Sequence, residues 1–251
     1  MTFLDAFILF IAGLLSGIVN AIAGGGTFLT FGALTLVGMP PIVANATSSI
    51  AQLPGYVTST LAYWTDIKRM WRGAIAFAVI SIVGALIGSL ILLALDNQSF
   101  SAMVPWLLIA ATALFAAGPW LRPAAREEQP ENAKPSLAGR IVQFFTAIYG
   151  GFFGAGMGVM MLATLGLTER ASYHRINALK NMLSIIIASV AIVIFMSGGV
   201  IAWLQAAFMV PGVAVGGYAG VWTARRVPQS VVRGIVIAVG LLLAGYYFFK
   251  G

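Results

Sequence analysis

Two short stretches hold most of the side chains able to do chemistry in a chain that is otherwise strongly apolar. "ANATSSIAQLPG" supplies Asn45, Thr47, Ser48, Ser49 and Gln52, and "HRINALKNMLS" supplies His174, Arg175, Asn177, Lys180, Asn181 and Ser184. Asn45, Ser48, Ser49 and Gln52 recur at helical spacing and share a face, as do Asn177, Lys180, Asn181 and Ser184. Ahead of the first stretch lies "NAIAGGG", with Asn20 and the triplet Gly24, Gly25 and Gly26. Such a triplet breaks a helix and frees N–H groups at the start of the next one, an end carrying about half a positive charge. Amides, hydroxyls, free N–H groups and one ammonium are the donors of an anion site.

Other chemistries lack their residues. There is no cysteine and a single histidine, so thiolate chemistry, disulfides and a metal centre are not expected, and no cofactor is called for. Asp5, Asp66, Asp96, Glu127, Glu128, Glu131 and Glu169 all fall at or outside the ends of the apolar runs. An intramembrane acid–base pair is therefore missing, which argues against an enzyme. Antiporters for protons or sodium usually carry a carboxylate inside a span, so cation exchange is disfavoured too.

These residues need elements to position them, and composition says where those elements sit. Of 251 residues 60% are hydrophobic and 8% charged, against roughly 25% charged in a soluble domain. The chain reads as an all-α polytopic membrane protein. Twelve of its fourteen Lys and Arg lie in four short segments, Lys68 to Arg72, Arg122 to Arg140, Arg170 to Arg175 and Arg225 to Arg233. Basic loops at the ends of apolar spans are cytoplasmic. The net charge of +7 thus reports topology, not nucleic-acid binding. The start, "MTFLDAFILF", lacks the basic residues of a signal peptide, so the first segment is expected to be retained.

A helix needs about 20 apolar residues to cross the bilayer. Gly73 to Leu95 and Asn97 to Leu121 each give one span, Gly234 to Phe249 a short one, and Asn181 to Ala224 two, joined at Ser197 to Gly199. The tryptophans, Trp106 included, are expected near span ends. Arg140 and Glu169 bound an uncharged run too short for two crossings, yet both its ends belong to basic loops. It reads as a hairpin of two short helices turning inside the membrane near "GAGMG", Gly154 to Gly158. Ala6 to Gly38 reads likewise, with its turn at Ala23 to Gly26. Irregular backbone at that depth is tolerated when buried in protein or lining a cavity.

A shift of 132 residues lays "AGGG" at Ala23 on "AGMG" at Ala155, Asn45 on Asn177, Ser48 on Lys180, and Gly84 and Gly88 on Gly216 and Gly220. The ordered set indicates an internal repeat. Each half is a glycine-broken hairpin plus three transmembrane helices, and the odd number of crossings inverts the second half. The expected layout is a first repeat over 1–121, a cytoplasmic linker over 122–138 and an inverted second repeat over 139–251, with both termini outside. Inverted repeats with paired broken helices are a plan of secondary transporters, their site lying mid-membrane.

Ser, Thr and Asn in membrane helices often bond only neighbouring helices, and Gly84 and Gly88 are expected to serve close packing. His174 and Arg175 read as a gate at the cytoplasmic mouth, in a loop. Lys180 either faces the pocket or snorkels to the interface. The expected partners are a small anion, the lipid bilayer and, in a homodimer, a second copy of the chain.

The stretch "GLLSGIVNAIAGGGTFLTFGALTLVGMPPIVANATS", with its echo "GGFFGAGMGVMMLATLGLTERASYHRINALKNMLS", resembles the sulfite exporter TauE/SafE family of membrane permeases. Asn20 and Ala23 to Gly26 carry the first part of the motif, and Gly38, Pro41, Ala44, Ala46, Thr47 and Ser48 the second. The echo departs from it, with Met157 among the glycines and no proline after Gly166. The resemblance implies transport of sulfite, sulfoacetate or other organosulfonates at the inner membrane. The residues in this role would be Asn20, Gly24, Gly25, Gly26, Asn45, Thr47, Ser48, Gln52, Asn177, Lys180 and Asn181. An anion channel and a carrier of non-sulfur organic anions are the alternatives.

Overall fold

The computed structural model describes residues 1–121, 136–169, 171–223 and 229–250, and every element in them is a helix. Residues 122–135 of the expected linker, Arg170, Arg225, Arg226 and the side chain of His174 lie outside the described residues. In chain order the first half gives α1 (Phe3–Ala23), α2 (Gly26–Leu36), α3 (Pro41–Ala62), α4 (Trp64–Arg69), α5 (Trp71–Leu93) and α6 (Asn97–Leu121). The second gives α7 (Leu137–Phe152), α8 (Met157–Thr168), α9 (Tyr173–Ser197), α10 (Trp203–Thr223) and α11 (Gln229–Lys250). Five of the eleven, α1, α5, α6, α9 and α11, are long and apolar enough to cross a membrane.

Local chemistry sets the starts. Thr2 and Asp5 form a reciprocal cap on α1, and Pro41 opens α3 where its missing N–H costs nothing. Ser136 accepts from Gly139 N–H at 2.9 Å to start α7, and Ser172 accepts from Arg175 N–H to start α9. That cap corrects one expectation: His174 and Arg175 belong to the first turn of α9, not to a loop. The short helix α4, with Lys68 and Arg69 in its last turn, was not anticipated either.

Both glycine segments break the chain. Gly24 ends α1 at φ +80°, and Gly156 precedes α8 at φ +82°, conformations that only glycine adopts without strain. After Gly24 the chain reverses, so that the Ser16 hydroxyl donates to the Gly26 carbonyl. The two hairpins are unequal. α1 has 21 residues and is itself long enough to span, so the first hairpin joins a full-length helix to an 11-residue one. Asp5, read from the sequence as marking the boundary, sits inside the first turn of α1 as part of its cap. The second hairpin, of 16 and 12 residues, is short on both arms.

Helices of the two halves exchange partners. α10 lies along α1, with Gly13 against Met209 and Gly220 against Ile18; α5 lies along α7, with Gly84 against Phe144 and Gly88 against Phe152. A Cβ at Gly84 would stand 2.7 Å from a Phe144 backbone atom, so Gly84, Gly88, Gly216 and Gly220 are close-packing positions. α3 and α10 run side by side in the same direction, pairing Thr47 with Ala202 and Gly55 with Val213. The end of α9 leads into Ala202 beside the start of α3, so α3 and α9, which pack together, are antiparallel. Trp106 lies well within α6, where its ring meets Phe248 edge-on at 5.2 Å, instead of near a span end.

Candidate functional site

The two breaks touch. A Cβ added to Gly24 would stand 2.8 Å from the Gly158 carbonyl, and one added to Gly158 would stand 2.5 Å from the Gly24 oxygen. Gly25 is buried beside Val236 and Val159, and Gly26 against Ser16 and Asn20. Backbone cannot approach backbone this closely with a side chain on either residue. The glycines thereby bring the end of α1 and the start of α8 into one buried place.

Each hairpin turn is held by the helix that follows the other one. Asn45 of α3 donates through Nδ2 to the Phe152 carbonyl at 3.0 Å, and its Oδ1 accepts from Gly154 N–H at 3.1 Å. These are backbone groups that the break between α7 and α8 leaves without helical partners. Ser48 pairs with Thr30 of α2 at 2.6 Å, and Thr27 of the same short helix accepts from Gly156 N–H at 2.8 Å. Gln52 donates to the Ser16 hydroxyl on α1. In the opposite sense, Asn177 of α9 donates to the Ala21 carbonyl at 3.5 Å, and Lys180 Nζ donates to the Asn20 carbonyl at 3.1 Å.

Lys180 therefore does not snorkel. It is 0% exposed, and the Asn20 carbonyl is its one hydrogen-bond partner among the described residues. On α9 and on the helices packed against it, several polar atoms are buried with no partner among the described residues: both amide atoms of Asn20 and of Asn181, Asn177 Oδ1, Gln52 Oε1 and Ser184 Oγ. Unpaired buried polar groups are rare because each costs about 1–3 kcal/mol. Of these, the Nδ2 groups of Asn20 and Asn181 and the Ser184 hydroxyl, with Lys180 Nζ, can donate to an anion, whereas the unpaired amide oxygens call for donors.

The structure brings Asn20, Gly24, Gly25, Gly26, Asn45, Ser48, Gln52, Asn177, Lys180 and Asn181 into the buried interior where the hairpins and α3 and α9 meet. Thr47 points elsewhere, its hydroxyl accepting from Ala202 N–H at 2.9 Å ahead of α10. Its place two residues from Asn45 puts it on another face of α3. Sequence reasoning missed Ser16, which closes the first hairpin, Thr30, which ties it to α3, and Thr27, which ties it to the second hairpin's turn. Their signal was present: hydroxyls at i and i+3 in a short apolar helix, and Ser16 one turn before Asn20.

A multi-pass helical chain whose broken helices meet over a buried donor cluster is a membrane transporter in type. Comparison with known proteins makes this specific: the chain belongs to the sulfite exporter TauE/SafE family, whose profile matches residues 9–247. It is 27% identical to a probable membrane transporter protein of Haemophilus influenzae, covering 94% of this chain and 91% of that one. It is 25% identical to the probable membrane transporter protein ORF9 of Sinorhizobium sp., covering 94% and 89%. To the probable membrane transporter protein YfcA of Escherichia coli K12 it is 23% identical, covering 94% and 87%.

Proposed function

We propose that the protein exports small sulfur-containing anions, such as sulfite, sulfoacetate or other organosulfonates, across the inner membrane by alternating access. Residues 1–121 and 139–251 would be the two inverted repeats, joined by a cytoplasmic linker, with both termini outside. The observation that carries this is the fully buried Lys180, with Asn20 Nδ2, Asn181 Nδ2 and Ser184 Oγ as buried donors that have no partner among the described residues. A sulfonate brings one negative charge and three acceptor oxygens, which suit the Lys180 ammonium and the unpaired Nδ2 donors of Asn20 and Asn181. Asn177 and Ser184 stand on the same face of α9, and Gln52 faces the α1 side of the cluster.

The exchanged capping supports movement as well. Each hairpin is fastened to the helix after the other hairpin, so a rocking of one half against the other must remake the bonds of Asn45 and Lys180 together. An inside-negative potential of ~100 mV is worth about 2.3 kcal/mol per charge, roughly fifty-fold in concentration, so a passive anion carrier exports.

The test is uptake of sulfite, sulfoacetate and lactate into proteoliposomes held inside-positive. Saturable, counter-anion-stimulated uptake of the sulfur anions is the expected result. Ohmic single-channel current would establish a channel instead, and preference for lactate a carrier of non-sulfur anions.

A further inference from the structure

Three buried hydroxyls are not used by the Lys180 cluster. Tyr56, Ser59 and Thr60 lie in the second half of α3, Tyr56 and Ser59 each 1% exposed, and their oxygens have no hydrogen-bond partner among the described residues. Unpaired burial is costly, so three cases within five residues of one helix ask for a reason. Helical spacing puts Tyr56 and Ser59 on the stripe that already carries Asn45 and Gln52, and the stripe ends at Tyr63. From Gln52 to Tyr63 the axis rises about 17 Å.

That stripe leads to the basic end of the molecule. Tyr63 adjoins α4, whose last turn holds Lys68 and Arg69, and α4 packs on α9, whose first turn holds Arg175. The opposite direction is different. Beyond Ser184 the site-facing stripe of α9 reads Ala188, Ala191 and Phe195, all buried, so it offers no donor. On α3 the polar residues on that side, Asn45, Ser48 and Ser49, all have partners, so the unpartnered hydroxyls of this helix lie toward the basic end.

We propose that Tyr56 and Ser59, with Thr60 beside them, form an access subsite that hands a small oxyanion between the basic end and Lys180. This rests on the anion-transport function proposed above. Each hydroxyl can donate to a sulfonate or sulfite oxygen, and cations at the mouth draw an anion in. In this conformation the stripe is closed around buried side chains, and opening toward the basic end would expose them to the passing ion.

The chain contains no cysteine, so Ser59→Cys introduces a single, nearly isosteric thiol. The protein, reconstituted in vesicles, is treated on either face with sulfonatoethyl methanethiosulfonate, an impermeant organosulfonate that labels thiols. Labelling is expected from the basic face alone, slowed about tenfold by methanesulfonate at ten times its Kd. Tyr56→Phe, which deletes an unpaired hydroxyl, should keep or raise the melting temperature without ligand and shrink the rise that methanesulfonate produces. Labelling from the opposite face alone, or a melting temperature lowered by Tyr56→Phe, overturns the subsite. If methanesulfonate still stabilises that protein, the Lys180 site survives. Labelling that no anion slows, in a protein whose melting no anion shifts, overturns both.

Discussion

Asn45 and Asn177 occupy matching places in the two halves, yet replacing them should have unequal effects. Asn45→Ala removes a donor 3.0 Å from the Phe152 carbonyl and an acceptor 3.1 Å from Gly154 N–H. Both backbone groups belong to the break between α7 and α8, in the buried interior, where bulk water does not reach to substitute. An orphaned buried group costs about 1–3 kcal/mol, so the pair costs about 2–6 kcal/mol. Asn177→Ala removes a single contact of 3.5 Å, at the limit of a hydrogen bond, while its Oδ1 has no partner among the described residues to lose. Its cost should stay below about 1 kcal/mol. Thermal unfolding of purified protein in detergent distinguishes the two, at roughly 2–4 °C per kcal/mol for a chain of this size. Equal losses, or a greater loss for Asn177→Ala, would refute the view that Asn45 pins the second hairpin.

Other consequences follow from single contacts. Gly158→Ala would put a methyl 2.5 Å from the Gly24 carbonyl, with backbone on both sides, and should cost about 1–3 kcal/mol. Gly38→Ala, at φ +82° in open space, should cost only about 1–2 kcal/mol of backbone strain; comparing their unfolding midpoints checks this. Arg233→Ala removes the guanidinium that donates to the Phe115 and Ala116 carbonyls, the first of which has lost its helical partner because residue 119 is a proline without an N–H. It should lower stability by about 1.5–3 kcal/mol, whereas Arg233→Lys should recover only part of that in the same melt. Burial pushes the Glu169 carboxyl up to about 7, opposed by a hydrogen bond from the Ser136 backbone. An acid with a raised folded pKa is penalised once ionised, so stability should fall as pH rises from about 4.5 to 7, and Glu169→Gln should flatten that slope between pH 5 and 8.

How much of this was legible in the chain depended on range. α6 follows the sequence reading residue for residue, because Asp96 and Arg122 bound an unbroken apolar run. Asp96 also caps it, its carboxylate held low by the Ser99 N–H. The two breaks were legible because glycine at φ near +80° has few substitutes. The full length of α1 was not, since an acidic residue that caps a helix looks the same in sequence as one that ends a span. The shared face of Asn45, Ser48 and Gln52 followed from period alone, and the same period, applied to Thr47, assigns it to another side of α3. Long-range pairing was out of reach: nothing local says that Asn45 reaches residues 152 and 154, or that Lys180 turns inward to Asn20.

Lys180 carries the account, and its removal tests it most directly. Lys180→Ala and Lys250→Ala each delete one lysine, and the first takes it from the buried cluster. Uptake of sulfite or sulfoacetate into inside-positive proteoliposomes should collapse with Lys180→Ala and continue with Lys250→Ala. Equal uptake by the two variants would contradict an anion site at Lys180.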